Sequence, residues 1–239
     1  INRTRQKVAL VRRSIAMRGG VGKTASQAVS ILRNEGVQGL QARISNAEHL
    51  LNVPAAAAQA ALLQPGEDPY HGWLRLYDPT DKATMTALGQ KIKDLGITTT
   101  FSVVMPVYNP PLDYLRQAIE SVQAQVYPHW EICIADDASP NAAVRELLTE
   151  LAAQDPRIKL VFREKNGHIS AATNSALEIA TGDYIALMDN DDLLPPHALA
   201  YMALAAHQHP QAGLIYSDED KVTEDNVRQA PYFKCQFNY

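Results

Sequence analysis

The run Tyr184-Ile185-Ala186-Leu187-Met188-Asp189-Asn190-Asp191-Asp192 closes an apolar stretch abruptly with three carboxylates. Carboxylate oxygens are hard donors suited to Mg2+ or Mn2+, and acids at the end of an apolar run are a poor way to fill a core. A lone Asp-x-Asp more often caps a helix, here one beginning near Pro195 and Pro196. The context favours chemistry instead, because an acid pair at the carboxyl end of a strand lies where open α/β sheets bind their ligands. The chemistry indicated is a cation that neutralises a diphosphate.

Three other strand ends carry polar groups. Val103-Val104-Met105-Pro106-Val107-Tyr108-Asn109 stops at proline and opens into a loop with an aromatic ring and an amide. The segment Trp130 to Pro140 holds a second acid pair, Asp136 and Asp137, where a strand gives way to a helix, and one of these acids could cap that helix. A carboxylate also accepts a hydrogen bond from the N3–H of a pyrimidine, and Tyr108 offers a flat packing surface. In Lys165 to Asn174, Gly167 permits a left-handed turn and the small residues after it let a helix pack closely on a sheet. His168 reads as a turn residue rather than a metal ligand. Gly19 to Thr24 imitates the end of a phosphate-binding loop, but Met17 stands where the pattern needs glycine, and Val8 to Arg18 reads as a basic helix where a strand is required.

The elements that must position these residues follow from hydrophobic periodicity. Apolar runs at Phe101 to Val107, Glu131 to Ala135, Ile158 to Phe162, Tyr184 to Met188 and Gly213 to Tyr216 alternate with helical patterns. Leu112, Leu115, Ile119 and Val122 share one helix face; Val144, Leu147, Leu148 and Leu151 share another; Leu199, Met202, Ala203 and Ala206 share a third. This alternation predicts an α/β fold of right-handed βαβ units, a mainly parallel sheet with helices on both faces. Upstream, residues 1–64 read as a small basic helical region and 65–97 as a turn-rich connector with a helix near 81–94; the main domain is expected over 98–239.

Of 239 residues, 46% are hydrophobic and 20% charged, enough for a sizeable core in a soluble globular protein. Two distant cysteines, Cys133 and Cys235, form neither a disulfide framework nor a zinc pattern, which fits a reducing cytoplasmic compartment. The net charge of -4 hides an asymmetry: residues 1–34 carry eight basic side chains and no acidic one, while all 26 acidic groups lie beyond. Such a basic segment usually forms a solvated helix face; its alternative is peripheral contact with anionic lipid at the inner face of the cytoplasmic membrane. Nucleic acid is disfavoured as a partner, since the segment lacks interleaved aromatics and the main body is acidic.

Taken together, PVYN at Pro106 to Asn109, ADDAS at Ala135 to Ser139, NGHISAATN at Asn166 to Asn174 and ATGDYIALMDNDD at Ala180 to Asp192 resemble, in order and spacing, the family 2 glycosyltransferases, nucleotide-sugar enzymes of the GT-A fold. The resemblance covers residues 100 to about 217, and YSDEDKV with PYFKCQFNY looks like members that build O-antigens and related surface polysaccharides, often with rhamnose. It implies that Asp137 binds a uracil or thymine ring, that Tyr108 packs near the base and that the Pro106 backbone frames the pocket. Asn109, Asn166, Asp189 and Asn190 fall among the implied nucleotide-binding residues. Asp191 would coordinate the Mn2+ or Mg2+ bridging the donor phosphates, with Asp189 at the ribose or a metal-bound water. The implied reaction is inverting transfer from a UDP- or dTDP-sugar to a glycan or lipid-linked acceptor.

The catalytic base is the missing part. In the resembled family it lies well downstream of the Asp-x-Asp, so it is expected beyond Tyr239 and the chain is expected to be a fragment; Asp218, Glu219 and Asp220 are weaker candidates. A sugar-nucleotide pyrophosphorylase would need a glycine-rich loop after Phe101 to Met105, which is absent. A non-catalytic docking module on a nucleotide-binding scaffold is the other alternative, and the intact acid cluster argues against it.

Overall fold

The computed structural model describes residues 64 and 66–235 of the chain. The basic segment of residues 1–34, the Gly19 to Thr24 loop and nearly all of the helical region expected over 1–64 lie outside the described residues. The chain divides into two compact units, Ile1–Trp73 and Leu74–Tyr239. Helix α1 is Pro69–Tyr77; the second unit then contains α2 (Lys82–Asp94), β1 (Phe101–Val107), α3 (Leu112–Gln123), β2 (Trp130–Asp136), α4 (Ala142–Gln154), β3 (Ile158–Phe162), α5 (His168–Leu177), β4 (Tyr184–Leu187), α6 (Ala198–Gln208), β5 (Glu219–Val222) and β6 (Arg228–Tyr232).

Four strands form one parallel sheet in the order β3-β2-β1-β4. The alternating side chains of β1 and β2 divide between two cores, as a strand's period of two requires. Val103, Met105, Val107, Ile132 and Ile134 enter the larger core with the apolar faces of α3, α4 and α6. Val104, Cys133 and Ala135 face the other way and meet Ala172 and Ala176 of α5. Their small side chains let α5 lie close against the sheet, in agreement with the sequence reading. The expected α/β architecture with helices on both faces is therefore the one observed.

Two expectations need correction. The boundary placed near residue 98 falls inside the second unit, because Leu88 and Ile92 of α2 and the following Ile97 are buried in the larger core. Asp81 caps α2, accepting from the amides of Ala83 and Thr84, and Gly96 ends it at φ 65°. The apolar run Gly213 to Tyr216 forms no strand; Leu214 is 66% exposed. A strand requires a partner, and among the described residues β4 pairs only with β1. The next strands, β5 and β6, pair with each other as a separate antiparallel ribbon.

A buried carboxylate ties the sheet to the turn that precedes β4. Glu131 on β2 accepts from the Ser102 hydroxyl at 2.7 Å, from the Thr181 amide at 2.6 Å and hydroxyl at 2.9 Å, and from Lys159 Nζ at 2.6 Å. Burial alone pushes its pKa up; Lys159, the Thr181 amide and the two hydroxyls outweigh that and hold it down at about 2. A depressed folded-state pKa contributes stability that is complete above the ordinary carboxylate value and lost as pH falls through the folded one. Unfolding free energy is thus expected to fall between pH ~4.5 and ~2 by about 3 kcal/mol on account of this group. Glu131→Gln should remove that acid-dependent part, and denaturant titrations of both proteins across the window check it; an unchanged acid profile contradicts the assignment.

Candidate functional site

The strand order places the site. Chain growth runs from β1 outward through β2 to β3, then returns to the other side of β1 for β4. The connections that leave the carboxyl ends of the paired strands β1 and β4 therefore run to opposite sides, a topological switch point, the place where open parallel sheets form a crevice. A cavity of about 330 Å³ opens there, lined by Pro106, Val107 and Tyr108 after β1, Asp137 after β2, Asn166, His168, Ile169 and Ala172 after β3, and Asp189 and Asn190 after β4.

Six residues anticipated from the sequence, Pro106, Tyr108, Asp137, Asn166, Asp189 and Asn190, come together on this cavity. Asn190 Nδ2 donates to the Pro106 carbonyl at 3.0 Å, so the acid loop is fastened to the end of β1. Tyr108 is half exposed at the mouth, with a ring face available for stacking. Asn109 is not among the lining residues. Its φ is 49°, and its amide donates to Ser139 Oγ at 2.8 Å, so it braces the β1 loop against the turn after β2.

The two acids after β2 have different tasks. Asp136 accepts from the Ser139 hydroxyl at 2.5 Å and the Ser139 amide at 3.3 Å, closing a turn in which Ala138 takes a φ of 61°. The cap of α4 is Asn141, so neither acid caps that helix. Asp137 reaches the cavity while remaining 2% exposed. Its Oδ1 accepts from Arg163 Nε at 2.7 Å, and the Gly167 amide donates to both oxygens at 3.0 Å.

Gly167 itself is a correction. Its φ is −130°, so no left-handed turn demands glycine there; the positive φ of 64° belongs to His168. A Cβ on Gly167 would sit 2.6 Å from Arg163 Nη2 and 2.8 Å from Ala171 Cβ. Close approach of the guanidinium is what excludes a larger residue. Sequence reasoning missed Arg163, and also Val107, His168, Ile169 and Ala172 as lining residues. Position after a strand was the available signal for the latter two; nothing local marked the arginine.

At the other end, Asp189, Asp191 and Asp192 are all exposed, and among the described residues no ion pair or side-chain hydrogen bond engages Asp189 or Asp191. Burial raises the pKa of Asp192, and the charges of Asp189, Asp191 and Glu219 raise it further. An acid cluster with so little compensation attracts a cation. Among the described residues no three His, Cys, Asp or Glu side chains converge as a complete metal cage. Asp189 and Asp191 nevertheless fit Mg2+ or Mn2+, which are commonly held by one or two carboxylates with substrate phosphates supplying further oxygens.

None of the three candidate bases lines the cavity. Asp218 Oδ1 accepts from the Lys234 amide at 2.7 Å, and Glu219 pairs with Lys234 Nζ at 2.8 Å. Asp220 pairs with Arg228 at 2.6 Å, whose guanidinium also binds Asp78, itself 2.9 Å from His197 Nε2. These contacts fasten the β5–β6 ribbon. Neither Cys133 nor Cys235 forms a disulfide, and burial pushes the Cys133 thiol up to about 12.

Comparison with known proteins agrees with the geometry. The chain is 46% identical over 169 residues to an uncharacterized protein of Sinorhizobium fredii, which covers 71% of this chain and 19% of that protein. It is 34% identical over 165 residues to the O-antigen biosynthesis protein RfbC of Myxococcus xanthus, covering 69% of this chain and 13% of the relative. A teichuronic acid biosynthesis glycosyltransferase named as putative in Bacillus subtilis, TuaG, is 42% identical over 91 residues, which are 38% of this chain and 35% of that one. The chain thus spans less than a fifth of the length of the first two relatives. The sequence profile described as "Glycosyl transferase family 2" matches residues 102–237, more than half of the chain and every loop of the cavity, and the chain belongs to that family.

Proposed function

We propose that this chain is the donor-binding part of a metal-dependent inverting glycosyltransferase that takes a UDP- or dTDP-sugar and serves surface polysaccharide synthesis. The observation that carries the reading is the cavity itself: a buried carboxylate, Asp137, and the exposed carboxylate of Asp189 both line it, and Asp191, also exposed, lies two residues beyond Asp189 on the same loop. A nucleoside diphosphate has matching ends. Its pyrimidine N–H meets an acceptor at Asp137, its ring has Tyr108 to stack on, and its diphosphate falls toward the acid loop.

A divalent ion bound with the nucleotide supplies charge neutralisation of the diphosphate leaving group. The protein's own part is to hold donor and ion in register, through Asp189, Asp191 and the Asn190 contact that anchors their loop. The acceptor is a glycan or lipid-linked hydroxyl, a class indicated by relatives named for O-antigen and teichuronic acid biosynthesis. The base that deprotonates it is not assigned among Asp218, Glu219 and Asp220, each of which is engaged in the ribbon's own contacts. No helix among the described residues is long and apolar enough to cross a membrane. The membrane contact proposed is peripheral and runs through the basic residues 1–34.

Calorimetric titration with UDP, with and without Mn2+, tests the reading. Wild type is expected to bind UDP more tightly with Mn2+. Asp137→Ala should weaken UDP roughly ten- to hundredfold, from a lost base hydrogen bond and its desolvated partner. Equal affinities of wild type and Asp137→Ala would remove the base-recognition role.

A further inference from the structure

Asp137 is almost wholly buried, yet among the described residues its carboxylate is met only by Arg163 and the Gly167 amide. Arg163, at the end of β3, does more than pair with it. The Arg163 amide donates to the Asp136 carbonyl at 2.9 Å, placing the residue directly beside the acid turn. Nη1 of the same guanidinium donates to the Ala171 carbonyl at 3.0 Å and to Ser175 Oγ at 2.5 Å, both on α5. One planar group thus binds the carboxylate after β2 and the helix that lines the cavity. Gly167 lies flat against it where no side chain fits.

These contacts decide what the carboxylate can recognise. Oδ1 is occupied twice, by Arg163 Nε and the Gly167 amide, whereas among the described residues Oδ2 accepts only from that amide, which leaves it further acceptor capacity. A carboxylate paired with a guanidinium is an acceptor and has no proton to give. It can receive a ring N–H, which uracil, thymine and guanine present on their pairing edge. It opposes cytosine, whose N3 is a lone pair, so that two acceptors would face each other without a proton between them.

We propose that Arg163 is the positioning residue of the nucleobase end: by fixing Asp137 as an acceptor-only group and fastening it to α5 through Ser175, it sets the selection for bases carrying a ring N–H. The proposal rests on the reading of the cavity as a nucleoside diphosphate site. Removing the guanidinium leaves the buried carboxylate held by the Gly167 amide alone and free to rotate away from the base edge. Selectivity is then lost in a way that general damage to the fold does not imitate.

UDP and CDP carry the same ribose and diphosphate, so the ratio of their affinities cancels the metal end of the site and isolates the base edge. Titrations of the full 239-residue chain with each nucleotide in Mn2+ should show wild type preferring UDP by about tenfold or more. In Arg163→Met, UDP affinity should fall toward that of CDP while CDP changes little, bringing the ratio near one; Arg163→Lys, which restores a cation but not the fork, should recover part of the preference. A proportional loss for both nucleotides, or no loss for either, overturns the positioning role. Should Arg163→Met fail to fold, Ser175→Ala removes the α5 contact alone and should reduce the ratio by about two- to fivefold, a shift of the size expected for one hydrogen bond; an unchanged ratio again overturns the proposal. Wild type that binds neither nucleotide overturns the cavity assignment and this proposal with it, a failure visible before any variant is made.

Discussion

Asp191→Ala is expected to abolish the metal-dependent part of UDP binding, a loss of at least about a hundredfold in Mn2+. The acid loop offers two exposed carboxylates to the ion, Asp189 on the cavity and Asp191 two residues beyond it, and no group of three His, Cys, Asp or Glu among the described residues forms a complete set. With so few protein ligands each one matters; even loss of a group supporting a ligand commonly costs ten- to hundredfold in metal affinity. The metal-free affinity should change little, because the base end at Asp137 is left intact. Neutralising Asp191 also relieves the crowding of charge at Asp192, whose pKa should fall toward the ordinary carboxylate value. Paired UDP titrations with Mn2+ and with chelator measure the effect. A variant that retains the full Mn2+ enhancement shows that the ion is held elsewhere.

Gly182→Ala should destabilise the fold by on the order of 3 kcal/mol, lowering the midpoint of thermal unfolding by roughly 6–12 °C. A Cβ at this position would lie 2.7 Å from Ser102 Oγ and 2.8 Å from both the Ser102 nitrogen and the Thr100 carbonyl. Two of these three atoms are backbone, one in β1 and one in the residue just before it, and neither can swing aside as a flexible side chain can. The Gly182 amide also donates to Ser102 Oγ at 2.8 Å, and Asp183 accepts from the Thr100 amide at 2.8 Å, so the whole turn is laid against β1. Relief of the clash would push β4 out of register with β1 and carry the Asp189 loop with it. Gly213→Ala is the matched control, since nothing lies within 4 Å of a Cβ there and a change within about 0.5 kcal/mol is expected. Equal midpoints for the two variants would show that the turn yields without cost.

These two positions mark how far the chain can be read before folding. Asp191 belongs to a pattern visible in one line of residues: an apolar run, then acids, with the run's length matching a strand. The four sheet strands and their helices were accessible in the same way, because periodicity is a local property, while the six anticipated cavity-lining residues came from polar strand ends together with the family resemblance of their motifs. Gly182 carries no comparable mark. Its importance comes from Ser102, which lies 80 residues away and is brought alongside by the β1–β4 pairing. The misplaced strand at Gly213 to Tyr216 fails for a related reason, since apolar composition provides strand propensity but not a neighbour to pair with.

By itself the sequence determined the types of chemical group available and their order: a ring and an amide after the first strand, acids after the second and fourth, a glycine-led turn after the third. Parallel βαβ architecture follows from that order, because strands separated by helices emerge on the same edge of the sheet. Only the tertiary structure decided that Asp136, adjacent to the anticipated Asp137 and chemically identical to it, closes a turn instead of facing the cavity. It alone brought Arg163 to Asp137 across 26 residues and made Gly167 necessary through close packing rather than backbone handedness. The physical reason is common to all three. Hydrogen-bond direction and steric contact act over a few ångströms in space, and the strand order that sets those distances is a property of the whole sheet rather than of any segment within it.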